Sequence, residues 1–169
     1  MLSRKSKLFL TKIFSLFSVV RGYNVWVVAL AQYLSAIFIL ATNKRALDVL
    51  LDLKLFLIVM ASSLTIASGY IINNFYDIKA DKINRPYKSG LDSYVKQETI
   101  LSIYFFLNIV GVLSGFLVSW KAALFFVVYI FSIWFYSHKL KRYPLTGLMS
   151  ASLLTILPFF VIFVYFKNF

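Results

Sequence analysis

Residues 55–72, LFLIVMASSLTIASGYII, contain no charged side chain, and residues 73–81, NNFYDIKAD, follow directly and carry Asp77, Lys79 and Asp81. An uncharged run of this length is what a membrane-crossing helix requires, about 20 mainly apolar residues. The change of character at Asn73 marks where such a helix meets water. Four further charge-poor apolar runs lie outward from it, at about Val25 to Ala41, Ile100 to Trp120, Ala122 to Tyr136 and Leu145 to Phe166. The predicted fold is all-α, a polytopic transmembrane helix bundle of about five spans.

Composition points the same way. Of 169 residues, 61% are hydrophobic and 14% charged, against roughly 25% charged in a soluble domain. Too little polar surface exists to cover a globule, so lipid is the natural solvent for the exterior. There are no cysteines, which excludes disulfides, thiolate catalysis and Cys-based zinc sites. The net charge of +12 is spread through short segments between apolar runs. That pattern suits topology control and anionic headgroups, and it leaves no basic face for nucleic acid.

The basic residues set an orientation. Thirteen of the 18 lie before span one (Arg4, Lys5, Lys7, Lys12, Arg21), between spans two and three (Lys79, Lys82, Arg85, Lys88, Lys96), or between spans four and five (Lys139, Lys141, Arg142). By the positive-inside rule, the N-terminus and the Asn73–Asp81 segment face the cytoplasm. Residues 1–22 read as a basic amphipathic cytoplasmic segment and 23–169 as the transmembrane domain. Lys12 interrupts the first apolar run, and no small-residue cleavage site follows, so the segment is not read as a signal peptide. Gly111 with Gly115, Thr65 with Gly69, and Asn108 read as helix contacts, and Pro158 as a kink in span five.

Asn73, Asp77 and Asp81 recur every four residues, which puts them on one face if the helix continues past the membrane. Two carboxylates there repel each other and face the negative end of the helix dipole. One compensation is local: Asp81 and Arg85 have favourable i,i+4 order. The other is a divalent ion. Magnesium takes oxygen ligands and usually one or two carboxylates, completing its shell with water and substrate phosphate. Asn73, Asn74, Asp77 and Asp81 offer such oxygens, and Arg85 and Lys88 downstream could hold phosphate oxygens. An amphiphilic diphosphate with its tail among the helices would suit this arrangement.

The stretch from Gly69 to Pro86, GYIINNFYDIKADKINRP, resembles the first aspartate-rich motif of the UbiA superfamily of intramembrane prenyltransferases, approximately N-D-x-x-D-x-x-x-D followed by a basic run ending in Arg-Pro. Asn73, Asp77 and Asp81 match it, while Asn74 stands where the family usually has its first Asp. Arg21 and Asn24, opening span one, are similar to the family's Arg and Asn there. Tyr136, Lys139 and Lys141 resemble its tyrosine-and-lysine segment after the fourth helix. The family often has Gly-Asn soon afterwards; here Gly147 precedes Leu148. The resemblance implies an Mg2+-bound prenyl diphosphate that ionises in a central cavity, its allylic cation being captured by a hydrophobic aromatic or lipid acceptor. It implies metal ligation by Asn73, Asn74, Asp77 and Asp81. It also implies diphosphate contacts by Arg85, Lys88, Lys139 and Lys141, with Arg21, Asn24 and Tyr136 as further substrate-site candidates. No residue is assigned a catalytic role.

The family's second aspartate-rich motif has no counterpart here. Asp48 and Asp52 have a similar spacing but lie on the opposite membrane face and read as a solvated loop pair; Asp92 and Glu98 lack the spacing. The chain therefore reads as the N-terminal part of the family's fold, with a truncated or interrupted gene product as the favoured origin. Pairing of two copies through Gly111 and Gly115 is less favoured, and a non-catalytic protein binding isoprenoid lipid or a partner subunit is the alternative. His138 reads as solvated, and Tyr70 and Tyr76 as interfacial anchors. The expected location is a multi-pass integral protein of a bacterial inner membrane or its equivalent. Reporter tags at position 81 should be reactive from the cytoplasm and tags at position 52 from the other side; the reverse result would overturn the orientation.

Overall fold

The computed structural model describes residues 4–92 and 94–167, without the side chains of residues 4, 5, 7–9, 88, 91 and 92. The expected helical architecture is present, and the described residues include no strand. The order is α1 (Arg4–Val20), α2 (Gly22–Ser35) continued by a π-helical turn (Ala36–Leu40), α3 (Ala46–Leu50), α4 (Leu53–Asn84), α5 (Pro86–Asp92), α6 (Gln97–Val118), α7 (Trp120–His138), a 3-10 turn (Leu140–Arg142) and α8 (Pro144–Phe166). Among the described residues, five helical segments are long and apolar enough to cross a membrane: Gly22–Leu40, Leu53–Asn84, Gln97–Val118, Trp120–Arg142 and Pro144–Phe166.

α4 is the axis of the bundle. Its membrane window is mostly buried, whereas little more than a quarter of those of α6 and α7 is. Ala61, Ser62, Thr65, Ala67, Ser68 and Gly69 are all buried, and such small side chains let neighbouring backbones approach closely where no hydrophobic force separates helix from lipid. A Cβ on Gly69 would stand 3.0 Å from Ile133 of α7, and one on Gly111 would stand 3.4 Å from Thr65. A Cβ on Gly115 would stand 2.7 Å from Phe126. Gly111 and Gly115 are thus both spent inside the bundle, on α4 and α7. That corrects the idea that they could pair two copies of the chain. The outward faces carry Phe38, Phe105, Phe106, Leu117, Phe131 and Leu153, a surface suited to lipid.

Several polar groups within the spans find partners, as a medium without water favours, although Ser62 Oγ, Thr65 Oγ1 and Ser137 Oγ are buried without one among the described residues. Asn108 of α6 meets Ser68 Oγ at 2.6 Å, and that hydroxyl also lies 2.8 Å from the Thr65 carbonyl. One hydroxyl proton cannot serve both, so the geometry calls for the Asn108 amide turned to donate to Ser68, which then donates to Thr65. α8 continues through Pro158. Proline has no N–H, so the carbonyl four residues earlier loses its helical donor. That carbonyl is Leu154 O, and the Tyr129 hydroxyl of α7 donates to it at 3.2 Å. Pro158 O in turn accepts from Gln32 Nε2 of α2 at 2.7 Å. The proline thereby ties α8 to two neighbours.

One expectation about the far end is corrected. Asp48 is exposed, but Asp52 is not simply a solvated loop carboxylate. Its Oδ1 caps α4 by accepting from Lys54 N at 3.0 Å and Leu55 N at 3.3 Å. Its Oδ2 accepts from the Tyr165 hydroxyl at 2.6 Å, joining the start of α4 to the end of α8. At 1.5 Å per residue, Asp52 and Asp81 stand roughly 43 Å apart along α4, so they serve opposite ends.

Tyr129→Phe should lower stability by roughly 0.6 kcal/mol and by no more than about 1.7, the average and the maximum for hydrogen bonds between membrane helices, in unfolding titrations of the detergent-solubilised chain. In a Pro158→Ala background the restored N–H can satisfy Leu154 O, and the loss should shrink. Equal losses in both backgrounds would show that the proline is not the reason for the bond.

Candidate functional site

The 32 residues of α4 span about 48 Å at 1.5 Å per residue, well beyond a hydrocarbon core of about 30 Å. The surplus of roughly 12 residues emerges at its C-terminal end, and there Tyr70, Asn73, Asp77 and Asp81 follow at intervals of three and four along one face. The carboxylates need a cation, and Asp77 finds one from far along the chain. Lys141 Nζ donates to Asp77 Oδ1 at 2.7 Å and to Asn73 Oδ1 at 2.9 Å. Its side chain is 18% exposed and that of Asp77 35%, so water screens this pair less than it would an open surface pair.

Local backbone packing delivers Lys141. The 3-10 turn Leu140–Arg142 lies against the first turn of α8, where a Cβ on Gly147 would come within 3.2 Å of Lys141 Cα and 3.3 Å of Leu140 O. The absent side chain at Gly147 lets the turn sit that close. Thr146 Oγ1 donates to Leu140 O at 3.4 Å, and Pro144 starts α8 immediately after the turn.

The opposite wall begins where α1 meets α2. Arg21 is left-handed, at φ 49 and ψ 51, a conformation that costs an L-residue about 1–2 kcal/mol. A Cβ on Gly22 would overlap the Phe17 ring as it lies here, so glycine next to Arg21 lets that ring pack over the turn. The turn aims Arg21 over the Tyr70 ring, with its guanidinium 5.1 Å from the centroid, a cation–π distance. Asn24 Nδ2 donates to the Tyr70 hydroxyl at 3.4 Å.

Between Arg21 and the end of α4 is a polar cavity of about 250 Å³, whose lining includes Arg21, Asn73, Asn74, Asp77, Asp81 and Arg85. Beside it is an apolar cavity of about 290 Å³ between α4, α7 and α8, where Ile66, Tyr129, Ile133, Tyr136, Leu154 and Pro158 take part. Tyr70 and Asn73 line both. A charged head with an apolar tail matches the pair of spaces.

The structure therefore brings together Asn73, Asp77 and Lys141 by direct contact. It gathers Asn74, Asp81, Arg85 and Arg21 around the same cavity, joins Asn24 through Tyr70, and puts Tyr136 in the apolar neighbour. Lys139 follows α7 as its C-cap; it is exposed and lines neither cavity. The Lys88 side chain lies outside the described residues. His138 is exposed, with its ring stacked on Trp134 at 5.4 Å and beside Tyr76 at 5.3 Å. Tyr70 is more than the interfacial anchor expected, because Arg21 and Asn24 both converge on it. Its place three residues before Asn73 was the available signal. Asn84, which also lines the polar cavity, carried none.

No group of three or more His, Cys, Asp or Glu converges among the described residues. A magnesium ion would need only one or two carboxylates, and Asp77 and Asp81 supply two, with amide oxygens from Asn73 and Asn74. That Asp77 and Asn73 both reach one ammonium nitrogen shows that their oxygens can converge on a single cation. The donor set fits the ion.

Comparisons with known proteins identify the family of the chain. Residues 29–169 match the UbiA prenyltransferase family. The chain is 27% identical over 144 residues to the digeranylgeranylglyceryl phosphate synthase of Sulfurisphaera tokodaii, covering 85% of this chain and 50% of that protein. It is 33% identical over 101 residues to the synthase of the same name from Thermococcus gammatolerans, covering 60% and 37%. For that of Saccharolobus solfataricus the identity is 33% over 114 residues, covering 65% and 39%. The chain thus spans about half the length, or less, of these curated relatives. No solved structure matches it.

Gly147→Ala should destabilise the solubilised chain by roughly 1–3 kcal/mol, the usual cost of overpacking, because backbone rather than a flexible side chain blocks the new methyl group. Gly90→Ala in α5, with nothing within 4 Å of the new atom, should be neutral or slightly stabilising. Similar effects of the two in thermal unfolding would refute the packing account of the Lys141 turn.

Proposed function

The chain belongs to the UbiA prenyltransferase family, and from that premise we propose that it holds the diphosphate of a prenyl donor during transfer of the prenyl group to a lipid acceptor. The observation that carries the reading is the Lys141 ammonium fixed between Asp77 and Asn73, two residues that line a polar cavity adjoining an apolar one. The names of the relatives indicate products with two geranylgeranyl groups on a glyceryl phosphate. A prenylated glyceryl phosphate is accordingly the acceptor class we favour over an aromatic one.

In the proposed reaction the bond between prenyl C1 and the diphosphate oxygen breaks, and its electron pair leaves with the diphosphate. An acceptor hydroxyl oxygen bonds to C1 and gives its proton to the departing diphosphate. Members of the family generally depend on Mg2+; when bound, it supplies positive charge to the leaving diphosphate, and Asn73, Asn74, Asp77 and Asp81 are the residues that would hold it. Arg21, Arg85 and Lys141 meet the non-bridging phosphate oxygens, with Lys88 and Lys139 as outer contributors. Asn24 keeps the Tyr70 ring beneath Arg21. The apolar cavity, where Tyr136 stands, takes the prenyl chain and keeps water from the allylic carbon. We further propose that the acidic end faces the cytoplasm, following the distribution of basic residues. Residues 1–22 would then lie along that surface, with Phe14 and Phe17 of α1, both exposed, towards lipid.

Membranes carrying the chain should retain radiolabelled geranylgeranyl diphosphate in an Mg2+-dependent way. Asp77→Ala and Asp81→Ala should each weaken retention by at least the roughly 10- to 100-fold typical of changes around a metal centre, while insertion stays normal. Retention that ignores both substitutions would instead identify a non-catalytic protein that binds isoprenoid lipid.

A further inference from the structure

Lys141 is placed to do more than hold phosphate. Its Nζ already has 2.7 Å and 2.9 Å contacts to Asp77 Oδ1 and Asn73 Oδ1, two of the oxygens assigned to the divalent ion. Magnesium binds oxygen at about 2.0–2.1 Å. An ion bonded to both oxygens would crowd the ammonium nitrogen, and the two carry charge of the same sign. Held to the same two oxygens, the two cations repel each other. We infer that Lys141 is a resident counter-ion which competes with the divalent cation for Asp77 and Asn73 and is released from them onto the diphosphate. This inference rests on the diphosphate-site reading above.

The surroundings allow the handover. Lysine carries a compact charge on a flexible four-carbon stem, so the ammonium can move while its backbone stays fixed. The backbone is held against α8 by the close approach at Gly147. The Tyr76 ring, 6.0 Å from Nζ, keeps the cation beside the acidic face. A metal arriving alone would deprive the ammonium of both oxygens and offer nothing in exchange. A metal arriving with diphosphate brings new acceptor oxygens for it. Lys141 therefore makes each ligand favour the other beyond their direct attraction, and such coupling is reciprocal.

The test uses the full chain in nanodiscs, with Mn2+ binding followed by electron paramagnetic resonance at matched free Mn2+, with and without inorganic pyrophosphate. Lys141→Met should bind Mn2+ alone more tightly than the native chain, by a factor within the roughly 5- to 150-fold span of site–site coupling. The factor by which pyrophosphate strengthens Mn2+ binding should fall correspondingly. Lys141→Arg, which keeps a cation, should leave Mn2+ alone weakly bound. Lys141→Gln carries the same expectation as the Met variant should that one fail to insert. If the native chain takes Mn2+ with pyrophosphate but neither neutral variant binds Mn2+ alone more tightly, the competition does not exist and the diphosphate site stands. If neither native chain nor variants take Mn2+ even with pyrophosphate, the site reading falls, and the inference with it.

Discussion

Negative charge at the C-terminal end of α4 requires a positive partner, and the way this requirement is met organises the site. The helix projects beyond the thickness of a bilayer core, and its exposed carbonyls give that end a partial negative charge. Asp77 and Asp81 add to it on one face. Lys141 reaches Asp77 from 64 residues away, through a turn that depends on the bare Cα of Gly147. Arg21, which lines the polar cavity, adopts a strained backbone conformation, and its guanidinium lies over Tyr70. Cations thus approach the ridge from elements on either side of it.

The lipid-facing part obeys a different rule. Without water, a polar group must find a partner inside the bundle or remain unsatisfied. Pro158 illustrates how a local defect becomes a tertiary bond: the carbonyl it strands is claimed by Tyr129, and its own by Gln32. Asn108 and Ser68 join α6 to α4 in the same way. These contacts also shape the apolar cavity, since Tyr129, Leu154 and Pro158 all line it. Tyr129, which satisfies the stranded carbonyl, is also a wall of the space proposed for the prenyl chain.

The spans are legible in the sequence because an uncharged run of membrane length rarely arises in any other kind of helix, and Leu55–Ile72 lies wholly inside α4. The acidic stripe is legible as well, because a period of four on a helix means one face. The partner that Asp77 finds is not. Local order favours Asp81 with Arg85, and nothing in the spacing indicates that Lys141 settles on Asp77, because that contact depends on how α7 and α8 pack. Small residues announce close packing at Gly111 and Gly115 without saying against what, and the structure spends both within one chain. Asp52 is hard to read because a capping carboxylate looks like a loop carboxylate until the helix start and Tyr165 are both in place. Residue type alone makes Tyr70 an interfacial anchor, and its position relative to Asn73 holds the better information.

The junction of α6 and α7 is a single extended residue, Ser119, whose hydroxyl accepts from Ala122 N to start the next helix. Two membrane helices joined so tightly have no intervening segment that could reach far into an aqueous compartment. During synthesis they would enter the bilayer together as a hairpin, neither waiting on the other. The far side of this pair presents little more than a bend.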